Sequence, residues 1–173
     1  MADRFEHLWW VIEGALAGMP MPYVALERRM NQGGALEAFD DELPSLARAG
    51  VKAFVCLLNL PGDILVFEAA GFSFRYWPVL DGQAPSLEQM AEIESYIKEC
   101  RATGNPVAVF CEAGLGRTGT VLAGYLIYQG FNAEEAIRLV REKEPSAVET
   151  VSQIQFLELL ERKLRSGDAN NEF

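Results

Sequence analysis

The apolar run Val107-Ala108-Val109-Phe110 opens behind Asn105-Pro106 and passes without a spacer into a glycine-rich turn. From there the chain enters a second apolar stretch with helical pattern, Thr118 to Gln129. A short run with no polar member suits a strand buried on both faces, and a strand that turns straight into a helix is the repeating unit of an α/β fold. Apolar runs and helical patterns alternate along most of the chain. The expected fold class is therefore α/β: a single domain with a central, mostly parallel sheet flanked by helices, and the turn at Cys111 set between a buried strand and a helix.

The remaining elements follow from caps, turns and periodicity. Asp40 or Asp41 is expected to cap a helix to Ala49, with Gly50 as a left-handed stop before a buried strand, Val51 to Leu58. Asn59 to Asp63 reads as a turn, Ile64 to Ala70 as a short helix, and Phe72 to Val79 as a strand led in by Gly71. Ser86 and Gln89 form a capping box for a helix to about Ala102, whose Leu87, Met90, Ile93, Ile97 and Cys100 share one face. Two further helices are expected, Ala133 to Lys143 with Asn132 and Glu135 as its capping pair, and Thr150 to about Arg165. Trp9 to Ile12 and Gly14 to Ala17 read as a short hairpin or edge strands, followed by an irregular loop, Met19 to Pro22. At 173 residues one domain suffices, taken as residues 1–165, with 166–173 as a flexible tail.

Composition narrows the partners. With 25 acidic against 15 basic residues the net charge is −10, which disfavours nucleic acid and anionic membranes as partners because no basic patch is visible. The three cysteines, Cys56, Cys100 and Cys111, match neither a zinc spacing nor a disulfide framework, and their odd number fits the reducing cytoplasm. The most apolar N-terminal stretch, Leu8 to Met19, is broken by Glu13 and Gly14 and lacks a basic leader, so no signal peptide is expected. No stretch approaches the roughly 20 apolar residues of a membrane helix. The single histidine, His7, reads as a surface or edge-strand residue, and with scattered cysteines it provides no metal ligand set. No metal or organic cofactor is expected, and the chain is taken as a monomer.

The turn itself carries the chemistry. In Cys111-Glu112-Ala113-Gly114-Leu115-Gly116-Arg117-Thr118-Gly119 a thiol ends a buried strand and an arginine opens a helix. If the intervening loop forms an arc, its N–H groups converge on one centre and the helix N-terminus adds partial positive charge, making a bowl for a dianion. Gly114 and Gly116 allow the arc and the close approach of phosphate to main chain. Arg117 supplies a planar fork for two phosphate oxygens. The same positive field favours thiolate over thiol at Cys111.

This arrangement resembles the phosphate-binding loop of the protein tyrosine and dual-specificity phosphatase superfamily, whose signature is Cys, five residues, then Arg and Ser or Thr. The resemblance implies that Cys111 is the nucleophile, that Arg117 and the N–H groups of Glu112, Ala113, Gly114, Leu115 and Gly116 bind phosphate, and that Thr118 hydrogen-bonds the sulfur. Trp77 to Ser86 is similar to the family's general-acid loop, which makes Asp81 the acid; read alone, Asp81-Gly82 is a common turn dipeptide. Ala147 to Gln153 resembles a segment of small prokaryotic members in which a glutamine places the hydrolytic water. Gln153 takes that position, and the plain alternative is a solvated residue at the start of a surface helix. The implied activity is hydrolysis of phosphotyrosine, with phosphoserine and phosphothreonine as further candidates, on phosphorylated protein substrates by way of a cysteinyl-phosphate.

The chain also departs from that pattern. Family members usually carry histidine before the nucleophile, where this sequence has Phe110. Phe110 cannot donate the equivalent hydrogen bond, which predicts less thiolate at neutral pH and keeps a phosphate-binding pseudo-phosphatase as the alternative reading. The loop has no basic residue between Cys111 and Arg117, which disfavours phosphoinositide and RNA substrates. A cysteine hydrolase of the protease type would need His7 beside Cys111. Cys56 and Cys100 read as small core residues, the alternative being capture of an oxidised Cys111 as a disulfide.

Overall fold

The computed structural model describes residues 7–22, 36–59 and 64–169. Five strands form one sheet in the order β1-β2-β5-β3-β4. β1 (Trp9–Ile12) pairs antiparallel with β2 (Leu16–Pro20), and β2, β5 (Val107–Cys111), β3 (Ala53–Cys56) and β4 (Ser73–Tyr76) run parallel. Six helices lie among the described residues: α1 (Leu36–Arg48), α2 (Ile64–Ala69), α3 (Leu87–Ala102), α4 (Gly116–Tyr128), α5 (Ala133–Lys143) and α6 (Val151–Ala169). The mostly parallel, helix-flanked sheet expected from the alternating pattern is present.

β5 takes the central position because all five of its residues can be buried. Successive strand residues point to opposite faces, and the two faces pack differently. Val107, Val109 and Cys111 face a layer that includes Met90, Ile93 and Ile97 of α3, Val121 and Leu122 of α4, Ile137 of α5 and Leu157 of α6. Ala108 and Phe110 face the other layer, with Leu46 of α1, Phe67 of α2, and Phe54 and Phe74 of the neighbouring strands. Phe110 sits among aromatic rings there, 6.0 Å from Phe54 edge-on and 6.2 Å from Phe67 in a stacked arrangement.

The capping boxes of α3 and α5 form as the sequence predicts, Ser86 with Gln89 and Asn132 with Glu135. Other boundaries differ. Met19 and Pro20 belong to β2, in register with Phe110 and Cys111, and Gly14 lies in the turn before it with φ +65°. β2 is an interior strand, because its far side is taken by β5; proline is tolerated since it stands at the strand's last residue. α1 starts at Leu36, ahead of the expected aspartate cap, and contains Pro44. It closes as expected at Gly50, whose φ of +98° lets its N–H reach Ala47 O while Val51 N–H reaches Leu46 O.

α4 begins two residues earlier than its apolar pattern suggests, so Arg117 lies in its first turn. α6 continues through residues 166–169, which the sequence assigns to a tail. Most of the expected turn Asn59 to Asp63 lies outside the described residues.

Phe54 touches Phe67, Phe72, Phe74 and Phe110 and is fully buried. Phe54→Ala should lower stability by about 3–5 kcal/mol. Urea unfolding checks this, and a loss near zero would mean that the aromatic layer is not the packed core described.

Candidate active site

Cys111 ends β5 and Gly116 opens α4, so the loop between them has four residues in which to reverse direction. Gly114 makes this possible with φ +74°, and a Cβ there would fall on the backbone of Met19 and Pro20. Any other residue would meet both torsional strain and main-chain overlap. The loop is tied to the end of β2 by Met21 N–H to Glu112 O, 3.0 Å. No side chain caps α4 at Leu115, and its first closing bond runs from Gly119 N–H to Leu115 O, 2.8 Å. The first turn therefore presents main-chain donors that no side chain at the N-cap satisfies.

The loop is closely coupled to its neighbours in charge and hydrogen bonding. Thr118 Oγ1 donates to Cys111 Sγ at 3.1 Å, both residues being buried. Arg117 is 3% exposed; Nη1 donates to Val79 O at 3.0 Å, and Nη2 lies 3.1 Å from Asp81 Oδ1. Its Nε–H has no acceptor among the described residues. A buried donor without a partner is costly, and this one belongs to a fork suited to an oxyanion. Asp81 is 82% exposed, so solvent weakens its ion pair and the carboxylate can exchange partners.

Asp81 reaches Arg117 on the segment between β4 and α3. Trp77 Nε1 donates to Glu92 at 2.8 Å and Gln89 Nε2 to Pro78 O at 3.0 Å, which fixes the base of that segment to α3. Its tip turns through Gly82, φ +73°, with Gln83 N–H bonded to Leu80 O.

The structure brings Cys111, Arg117, Thr118 and Asp81 together. Glu112 and Ala113 are exposed on the loop, and Gly114 and Gly116 are buried in it beside a half-buried Leu115. Gln153 is neither a solvated surface residue nor open to water. It is fully buried, its Oε1 accepts from Glu149 N–H (2.8 Å) and Thr150 N–H (3.1 Å), and its Nε2 donates to Gln83 O (3.2 Å).

Two features escape the sequence reading. Thr150 precedes α6 and accepts Gln153 N–H at 3.2 Å while Gln153 accepts Thr150 N–H, a reciprocal capping box. The Thr150-x-x-Gln153 spacing carries that signal. Arg141 holds the preceding loop by donating to Ala147 O (3.0 Å) and Val148 O (2.8 Å), where Val148 has φ +60°. Nothing in the local sequence marks that contact.

The other candidates separate. Cys56 lies on β3 opposite Phe110, on the aromatic face, whereas Cys111 faces the helical layer. Burial pushes the Cys56 thiol up to about 12, so it stays protonated at neutral pH. Cys100 lies near the end of α3, where its carbonyl accepts Asn105 N–H at the start of β5, away from the end that carries Cys111. His7 is exposed and borders a groove of about 380 Å³ with Ala113, Leu115 and Lys143. It lies nearer the loop than its place in the sequence suggests, but Cys111 does not line that groove.

A family model described as a polymorphic toxin system DSP-PTPase phosphatase matches residues 29–131, which include Asp81 and the whole loop. Human protein tyrosine phosphatase type IVA 3 is 32% identical over 125 residues, covering 71% of this chain and 72% of that protein. Human dual specificity protein phosphatase CDC14A is 29% identical over 155 residues, 84% of this chain; the chain spans only 25% of that relative. The crystal structure of Tk-PTP in its active form superposes with a TM-score of 0.78 at 32% identity, covering 92% of this chain and 99% of that one.

Fold and relatives together define a cysteine-dependent phosphatase. More closely, the chain belongs to the protein tyrosine and dual-specificity phosphatase family.

Gly114→Ala should lower turnover on the order of 100-fold, since a loop displaced by about 1 Å loses that much alignment. Assay on an aryl phosphate, with tungstate binding followed by calorimetry, checks this. Activity within about twofold of wild type would show that the loop tolerates a Cβ at this point.

Proposed function

We propose that the protein hydrolyses phosphate monoesters on protein side chains, phosphotyrosine first among them, through a phosphocysteine at Cys111. The observation that carries this reading is the pair of contacts Thr118–Cys111 and Arg117–Asp81, in which the Nε–H of a buried guanidinium has no acceptor among the described residues. The N–H groups of residues 112–117 and the Arg117 fork bind the phosphate and match the charge on its equatorial oxygens as the transition state forms. Cys111 thiolate attacks phosphorus, forming S–P as the P–O bond to the leaving group breaks. Asp81 gives its proton to that leaving oxygen. Water then attacks phosphorus, its proton goes to the Asp81 carboxylate, and S–P breaks to return the thiolate, which Thr118 stabilises by hydrogen bonding.

The loop amides and Arg117 supply the positive charge, so this chemistry needs no metal or organic cofactor. Gln153 reaches this path through its bond to Gln83 O on the acid loop, and we assign it the placing of that loop rather than of the attacking water, from which its burial removes it. The absence of histidine at 110 is consistent with turnover, because Phe110 packs into the aromatic face while Thr118 meets the thiol on the other. The acidic charge, together with three unpaired cysteines, supports a monomer in the reducing cytoplasm that does not engage nucleic acid or membranes. Among the described residues no helix is long and apolar enough to cross a membrane.

Phosphate release from p-nitrophenyl phosphate should persist in chelator and vanish in Cys111→Ser, and Arg117→Lys should retain about 1% or less because the planar fork is lost. Binding of phosphate without release in the wild type would instead establish a pseudo-phosphatase. Asp81→Asn should lower kcat/KM for phenyl phosphate about 100-fold while lowering that for the nitrophenyl ester far less, since in forming the phosphocysteine only the poor leaving group needs the proton. Equal losses on the two esters would remove Asp81 from the role of acid.

A further inference from the structure

The tip of the acid loop, residues 80–83, is exposed at Leu80 and at Asp81 and has one internal main-chain bond, Gln83 N–H to Leu80 O. It is held from outside at two places that flank Asp81. On one side Arg117 Nη1 bonds Val79 O. On the other, Thr150 Oγ1 donates to Gly82 O at 2.8 Å and Gln153 Nε2 donates to Gln83 O at 3.2 Å. The second anchorage does not pass through Arg117, the side chain that binds phosphate in the proposed reaction.

The capping box sets the direction of both donors. A hydroxyl has one proton, and because Thr150 Oγ1 accepts the Gln153 N–H, that proton is free to point at Gly82 O. Gln153 Oε1 already accepts two N–H groups, which fixes its amide plane and aims Nε2 at Gln83 O. The Thr150 methyl lies 3.8 Å from the position of a Cβ on Gly82, in ordinary contact. A cap that merely started α6 would need neither donor.

We propose that Thr150 is a positioning residue: with Gln153 it latches the acid loop to the N-terminus of α6, so that proton delivery by Asp81 depends on a hydroxyl that touches neither substrate nor thiol. This rests on Asp81 being the acid. Loss of the latch should therefore matter only in the steps that use Asp81, and formation of the phosphocysteine, which kcat/KM reports, isolates the acid step.

The test compares Thr150→Val and Thr150→Ser with wild type on phenyl phosphate and p-nitrophenyl phosphate, each alone and combined with Asp81→Asn. Thr150→Val should lower kcat/KM for phenyl phosphate on the order of 10-fold and for the nitrophenyl ester less than about threefold, whereas Thr150→Ser should stay within about twofold on both. In the Asp81→Asn background Thr150→Val should cost nothing further on phenyl phosphate, because the proton it positions is gone. Equal losses on both esters, an undiminished loss in the double variant, or no loss at all would overturn the latch. If Thr150→Val proves too unstable, Thr150→Asp keeps a helix cap but has no proton to donate, and the same contrast between esters applies. An Asp81→Asn variant with no leaving-group dependence would overturn the acid itself; leaving-group dependence in Asp81→Asn without any in Thr150→Val would overturn the latch alone.

Discussion

The site is organised around one buried guanidinium. Arg117 comes from the first turn of α4, yet its Nη atoms reach Val79 and Asp81 on the segment after β4, so one side chain joins the loop after β5 to the segment that carries Asp81. Taking a cation out of water costs several kcal/mol unless its donors are met. Here Nη1 and Nη2 each have a partner, and among the described residues Nε has none. An oxyanion in the loop would satisfy it, which makes the substrate-free site poised toward a dianion.

The sheet makes that arrangement possible. Because β5 is flanked by β2 and β3 in parallel register, its C-terminal end lies beside Pro20 and Cys56, with Leu57 N–H bonded to Phe110 O. Parallel strands bring their C-terminal ends to one edge, where the segments after β4 and β5 meet. The strand's alternation then divides the work: Cys111 faces the layer that contains α4 and Thr118, and Phe110 anchors the strand among rings on the opposite face. At position 110, where histidine is usual in the family, stands a residue that suits a layer rich in phenylalanine rings.

What could be read from sequence alone follows from how local each signal is. Cys111, Arg117 and Thr118 lie within eight positions of one another, so their spacing survives folding and their contacts were foreseeable. Asp81 was reachable only through resemblance, since its ion pair with Arg117 spans two elements. Thr150 and Gln153 carried a legible capping pattern, but the pattern says nothing of what the cap faces, and a polar residue at a helix start reads as solvated. The misplaced boundaries have similar causes. Pro20 reads as loop because register with Cys111 is a tertiary fact, and Asp40 and Asp41 read as caps because aspartate favours the N-cap, although α1 already runs through them from Leu36.

The central claim is that the phosphoryl group passes through Cys111. Rapid acid quench during turnover of a phosphotyrosine peptide, followed by peptide mass mapping and phosphorus NMR, tests it most directly. The account predicts a thiophosphate on the peptide containing Cys111 that forms and decays at rates compatible with turnover. Turnover with no phospho-enzyme under conditions where its breakdown is slow, or phosphate found on another residue, would contradict it.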